Sequence, residues 1–160
     1  MLGLLFNYFT MKSQLLLFSE KDQEAIVNAI KEAELNTSGE IRVHIEAHCK
    51  EKNVLDRAAN VFAELGMHQT DLRNGVLFYL ATADRKFAII GDAGINKRVP
   101  TNFWECIKNT MANKFKEGLF TEGLTEGLLL AGEQLKKHFP RATDDVNELS
   151  DEISFGDSKE

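Results

Sequence analysis

The hydrophobic pattern changes period several times along the chain, and each change marks an element. Ser19 followed by Asp22 has the form of a capping box, and Ala25, Ile26, Ala29, Ile30 and Ala33 then recur at helical spacing until Asn36-Thr37-Ser38-Gly39 interrupts them. From Glu40 the period becomes two. Ile41, Val43, Ile45 and Ala47 alternate with Arg42, His44, Glu46 and His48, which predicts a strand with one face on the core and the other wet. Val54, Leu55, Ala58, Ala59, Val61, Phe62 and Leu65 predict a second amphipathic helix ending near Gly66, long enough to cross over between parallel strands. The unbroken apolar run from Gly75 to Ala81 predicts a central strand covered on both faces, and Lys86 to Ile90 the return strand of a hairpin turning at Thr82 to Arg85. Pro100 suits the first turn of a third helix, with Phe103, Trp104, Ile107, Met111 and Phe115 on its buried side. A fourth helix follows Gly118, carries Leu124, Leu128, Leu129, Leu135 and Phe139, and stops at Pro140.

The order αβαββαα predicts an α/β fold, a three-layer α/β/α sandwich with a small mixed central sheet and a right-handed β-α-β crossover. Residues 19–140 form the expected domain, preceded by an N-terminal extension over 1–18 and followed by a flexible tail over 141–160. If the first two strands are parallel, Glu40 and Asn74 begin them at the same edge of the sheet. A hairpin centred on Ala83-Asp84 pairs Thr82 with Arg85 and, counting back, Gly75 with Asp92, whose cross-strand Cβ atoms then lie ~5 Å apart. Glu40, Asn74 and Asp92 should therefore converge, with Asp71 on the approach as a fourth member.

Charge sharpens this picture at one end only. Residues 141–160 carry two Lys+Arg against seven Asp+Glu, which leaves the body near neutral at 17 against 18. No basic stripe with interleaved aromatics appears, so nucleic acid is not the expected partner. The tail is acidic and poor in apolar residues, and reads as a mobile extension or as a docking segment for a basic protein partner. Cys49 and Cys106 lack a CxxC or Cys/His ligand spacing, so free thiols in a reducing compartment are expected rather than a disulfide framework or a structural zinc site. The apolar N-terminus is broken by Asn7, Thr10, Lys12, Ser13 and Gln14 and falls short of the ~18 to 20 continuous apolar residues of a membrane span. A cytoplasmic protein without membrane attachment is the expectation, with Met11 as an alternative start.

The candidate chemistry lies in and around the loop from Gly91 to Val99. It combines two glycines with Asp92, Asn96, Lys97 and Arg98, and loops on a rigid scaffold often carry function; a purely conformational Gly-Asp-x-Gly turn is the other reading. Glu40, Asn74, Asp92 and Asp71 offer hard oxygen ligands, which suit Ca²⁺ or Mg²⁺ rather than zinc or copper. They can also serve simply as caps. Lys97 and Arg98 either offset the acids or hold a phosphate beside a metal. The chain has no DxDxT, no RHG, no Cys-x5-Arg and no P-loop. His44 and His48, ~13 Å apart at i and i+4 of a strand, read as surface residues rather than a ligand pair. Phe103, Trp104 and Phe115 read as core.

The stretches Arg73-Asn74-Gly75-Val76-Leu77-Phe78-Tyr79-Leu80, Asp84-Arg85-Lys86, Gly91-Asp92-Ala93-Gly94-Ile95 and Lys114-Phe115-Lys116-Glu117-Gly118 with Gly123-Leu124 together resemble the TPM domain, over roughly residues 20–140. That family includes thylakoid-lumen proteins linked to photosystem II repair and many bacterial proteins. The resemblance implies an α/β/α sandwich, divalent-cation binding and phosphatase activity. The loop departs from many relatives in having Asp92 at its second position and Asn96 where a Glu is expected. Two functions are thus in view: a divalent-metal-binding TPM-domain protein with metal-dependent phosphomonoesterase activity, or a non-catalytic protein-interaction or scaffold module.

Overall fold

The computed structural model describes residues 18–142 and 146–156. The elements in chain order are α1 (Glu20–Glu34), β1 (Glu40–Glu46), α2 (Val54–Glu64), β2 (Gly75–Ala81), β3 (Lys86–Gly91), α3 (Ala93–Arg98), α4 (Glu105–Lys116), α5 (Phe120–His138) and β4 (Ser154–Phe155). The strands form one mixed sheet in the order β3-β2-β1-β4. Helices cover both faces, as the alternating pattern predicts. Of the expected N-terminal extension only Phe18 falls within the described residues, and it is buried in the main core.

Period-two alternation sorts the strands' side chains between two cores. Ile41, Val43 and Ile45 of β1, Val76, Phe78 and Leu80 of β2 and Ile89 of β3 face α1, α4 and α5, where they meet Ile26, Ile30, Ile107, Leu124 and Leu128. Leu77, Tyr79, Ala81 and Ala88 face the other way and pack on Ala58, Val61 and Met67, so α2 covers the β2–β3 half of the sheet. The helix boundaries follow capping chemistry. Ser19 and Asp22 close a reciprocal capping box on α1, and Asn53 caps α2 through Leu55 N. The third predicted helix starts later than expected. Pro100 sits in a turn, its carbonyl accepting from Phe103 N at 3.0 Å, and α4 begins at Glu105.

The polar face of β1 is not wet. Glu40, His44 and Glu46 are all buried, and the surface reading of His44 is corrected, whereas the His48 side chain is 54% exposed and pairs with Asp84. Two things cover that face. From α2, Arg57 grips Glu46 through Nε–Oε2 at 2.9 Å and Nη2–Oε1 at 2.8 Å; the Tyr79 hydroxyl donates to Oε2, and His44 Nε2 lies 3.1 Å from Oε1. Burial alone would raise the Glu46 carboxyl, but Arg57, His44 and Tyr79 outweigh it and hold it well below the carboxylate range. Burial, and then the Glu46 charge, push the Tyr79 phenol far up.

The second cover is residues 146–156. The low apolar content predicts a tail without structure, yet β4 pairs in parallel with β1, Ser154 opposite His44 and Phe155 opposite Ile45, and Gly156 N donates to Ile45 O at 2.8 Å. Leu149 packs on the smaller core and Ile153 on the larger. Two apolar side chains, one for each core, and a free strand edge therefore seat a segment whose average composition is acidic.

Removing one partner of a buried ion pair strands the other charge, at a cost of roughly 3–5 kcal/mol. Arg57→Met should lower unfolding stability by that order in urea titration, and Glu46→Gln added to it should restore a large part of the loss. An additive double variant would show that the two side chains act independently.

Candidate functional site

The parallel and antiparallel registers bring the predicted residues to one edge of the sheet. Glu40 stands opposite Gly75 across β1–β2, Val76 opposite Gly91 across β2–β3, and Asp92 N donates to Gly75 O at 2.9 Å. At this edge a pocket of about 330 Å³ opens, and Glu40, Asn74 and Asp71 all line it, together with Glu34, Arg141 and Glu148. Asn74 is 1% exposed and ties two loops together. Its Nδ2 donates to Ser38 O at 3.0 Å, and its backbone carbonyl accepts from Glu40 N at 3.2 Å.

Two oxygens at the pocket are unsatisfied. Glu40 Oε1 accepts from the backbone amides of Glu148 and Leu149, the latter at 2.7 Å, whereas Glu40 Oε2 and Asn74 Oδ1 are buried with no hydrogen-bond partner among the described residues. Orphaned acceptors of this kind carry a desolvation cost that a donor, a water or a cation relieves. Burial raises the Glu40 carboxyl, with Glu148 and Asp151 adding repulsion that the two backbone donors partly offset. Glu34, whose Oε2 accepts from Ile41 N at 3.0 Å, is pushed up to about 9 by burial and by a hydrogen bond shared with Asp151. The pocket therefore concentrates acid groups that are short of positive charge.

Asp92 is at the same edge but does not line this pocket. Arg73 holds it in a fork, Nε–Oδ2 at 2.7 Å and Nη2–Oδ1 at 2.9 Å, and Ala93 N donates to Oδ1 at 2.7 Å. Burial would raise the Asp92 carboxyl; Arg73 and the Ala93 amide overcome that and keep it low. The loop is itself helical: Asp92 is the N-cap of α3. Its glycine at position 94 serves close approach rather than positive φ, because a Cβ there would overlap the Leu72 carbonyl oxygen and stand 2.6 Å from that of Arg73. Arg73 carries the unusual backbone instead, with φ 51°. Lys97 and Arg98 are exposed and outside the pocket lining, and Arg98 lies 4.7 Å over the Phe139 ring.

The sequence reading missed Glu34, Arg141 and Glu148 at the pocket and the Glu46–Arg57–His44–Tyr79 network beneath the other end of β1. Arg57 gave a signal, as a cation next to Ala58 and Ala59 on the apolar side of an amphipathic helix. Glu34 gave little, since it closes a helix on which Lys31 and Glu32 just before it and Leu35 just after it are exposed.

Among the described residues no group of three or more His, Cys, Asp or Glu side chains is placed to hold an ion unaided. A calcium-type shell does not require one, because it draws on amide, carbonyl and water oxygens as readily as on carboxylates. Glu40 Oε2 and Asn74 Oδ1 fit that donor chemistry.

An α/β/α domain with a polar pocket at the N-terminal edge of a parallel strand pair defines the class. A family model described as the TPM domain matches residues 12–134, and the chain belongs to that family. Among solved structures it is similar to the BA42 protein from the psychrophilic bacterium Bizionia argentinensis, at 47% identity and TM-score 0.82 over 87% of this chain and 95% of that one. It shares the fold of the N-terminal domain of a protein from P. gingivalis (21% identity, TM-score 0.64, 79% and 83% covered) and of the N-terminal domain of the cg2496 protein from Corynebacterium glutamicum (14%, TM-score 0.59, 72% of each). No curated protein matches. Among the described residues no helix is long and apolar enough to cross a membrane.

Two outcomes test the local account. Gly94→Ala should force α3 off the 72–73 backbone and cost about 1–3 kcal/mol, the range for overpacking, read as a lower urea midpoint. For Glu34, a folded pKa of about 9 against an ordinary 4.5 means that its contribution is fully present below pH 4.5 and is lost as pH rises toward 9. Glu34→Gln should therefore gain stability relative to wild type between pH 5.5 and 8 in the metal-free protein, by up to about 1.4 kcal/mol per pH unit. Parallel pH profiles for the two proteins would place the Glu34 carboxyl in water.

Proposed function

We propose that the chain is a divalent-cation-binding TPM module and that the sheet-edge pocket is its site, with Glu40 and Asn74 as the fixed ligands and Asp71 as a mobile one. The observation that carries this is the pair of buried, unpartnered oxygens, Glu40 Oε2 and Asn74 Oδ1, on residues that line one pocket. A bound cation supplies the missing positive charge, and carbonyls and water complete its shell. With one buried carboxylate and one carboxamide the site suits Ca²⁺ at least as well as Mg²⁺, which demands a stricter octahedron and sheds its waters reluctantly. Asp92 positions the edge by holding Arg73 beside Asn74.

A second reading, metal-dependent hydrolysis of a small phosphomonoester, draws on Arg141, the one cation among the residues lining the pocket. A phosphate there would meet Arg141 and a cation, and water activated by the cation would be the nucleophile. Lys97 and Arg98 do not favour this reading, since both lie outside the pocket.

In an amide-shift titration of the full chain with Ca²⁺, residues 38–41 and 71–75 should shift together. Glu40→Gln should abolish the response, and Asp92→Asn, which only loosens Arg73, should weaken it less. Shifts confined to 91–97, or an unaltered titration in Glu40→Gln, would remove this pocket as the site. Turnover of an aryl phosphate above a metal-only blank, lost in Glu40→Gln, would establish the enzyme; the absence of turnover with intact Ca²⁺ shifts would leave a binding module.

A further inference from the structure

The sheet ends on two unlike edges. β4 closes one with a two-residue pairing, whereas β3 leaves the other open along Lys86–Gly91, in unbroken register with β2. Asp92 N donates to Gly75 O, so positions 92, 90 and 88 exchange their backbone bonds with β2, and Phe87, Ile89 and Gly91 turn theirs outward. Among the described residues only one of these outward groups has a partner, the Gly91 carbonyl, which accepts from Asn96 Nδ2 at 3.3 Å. Exposed edges are normally blunted by proline, a bulge or an inward charge; β3 has none of these, and its one charged residue, Lys86, is its first. We propose that β3 is a self-association edge, on which a second copy of this chain adds its own β3 in antiparallel register about Ile89, giving one continuous sheet through both subunits.

A second copy fits because the strand is complementary to itself. A two-fold axis at Ile89 is the antiparallel placement that pairs all three outward residues, Phe87 with the partner's Gly91, Ile89 with the partner's Ile89 and Gly91 with the partner's Phe87. A slip by one residue sets outward-turned groups against inward-turned ones, and a slip by two trades one pair for a residue of the hairpin turn or of α3. Size alternates in the favoured register. Phe87 lies opposite a residue without a side chain, over a floor of Ile95 and Trp104, each of which a Cβ at Gly91 would approach to 3.0 Å. On the other face Ala88 lies opposite the partner's Ile90. Phe87, Ile90 and Trp104 are only half-buried in the single chain, and pairing covers them. The two Lys86 side chains fall at opposite ends of the ladder, about 20 Å apart at 3.4 Å per residue, beyond the ~8–10 Å over which exposed charges stay coupled in salt. A single six-residue ladder buries less than the ~1,200 Å² of a standard stable interface, so the dimer is transient and fills with concentration.

The test follows amide exchange and rotational correlation time of the full chain from about 20 µM to about 1 mM, with chelator in every sample so that the pocket stays out of the measurement. Over that range the Phe87, Ile89 and Gly91 amides should slow about fivefold or more as tumbling approaches that of a dimer, while the Ala88 and Ile90 amides, bonded to β2, stay protected throughout. Ile90→Lys, which sets a charge opposite the partner's Ala88, should hold the chain monomeric and keep the three outward amides fast at the highest concentration. Ile90→Val, which keeps the strand apolar and β-branched, should dimerise as wild type does and controls for the loss of the isoleucine. Constant tumbling and unchanged exchange in wild type across the range would overturn the edge contact. So would slow exchange of the three amides in a monomer, which would mean that another stretch of this chain covers β3. A dimer that persists in Ile90→Lys with the three amides still fast would place the contact on another surface and overturn it as well.

Discussion

A carboxylate buried under a sheet can stay ionised only if the surrounding chain is arranged to meet it, and Glu46 imposes that condition here. Its two oxygens are met by a forked Arg57, by Tyr79 and by His44, so a residue from α2, one from β2 and one from its own strand must all be in place at once. Such an arrangement adds little net stability over a well-packed apolar one, but any fold that breaks it leaves a bare charge in a dry site. It therefore excludes alternatives more than it stabilises the native state. α2 cannot slide along the β2–β3 surface without dragging Arg57 from Glu46, and β1 cannot slip one residue without exchanging its apolar face for its charged one.

The same constraint explains how the sequence could be read so far and no further. Period and punctuation identify the strands because they depend on local alternation, and the hairpin register follows from the turn, so Gly75 opposite Asp92 was legible before any coordinates. The identity of what covers a face is not local. Arg42, His44 and Glu46 alternate as solvent-facing residues do, and only the tertiary structure brings Arg57 and residues 146–156 over them. The tail was misread for a related reason: its composition is averaged over residues that remain at the surface, while Leu149 and Ile153 pack on the two cores and backbone pairing with β1 holds its end.

At the candidate site, sequence reasoning located the edge and three of the pocket's oxygen residues but assigned the acids alike. Geometry separates them. Asp92 spends its oxygens on Arg73 and on the start of α3, so its charge is neutralised by the chain itself. Glu40 spends only one oxygen, on two backbone amides that carry no net charge. A carboxylate's availability to a ligand depends on what already occupies it, and no spacing rule encodes that.

The proposed site also has a definite electrostatic character. Its innermost ligands are one carboxylate and one carboxamide, and further charge comes from residues at the rim, Asp71 and Glu148. Affinity for a divalent ion rises with ligand charge and with rigidity of the cage. A core of Glu40 and Asn74 supplies rigidity with little charge, whereas the rim supplies charge with little rigidity. Binding on this reading is weak unless the rim is brought in, and the segment that carries Glu148 is held by that residue's amide on Glu40, by its carboxylate on the Asp71 amide and, at its end, by the two-residue pairing of β4 at the sheet edge. Short edge pairings are among the first elements of a fold to open.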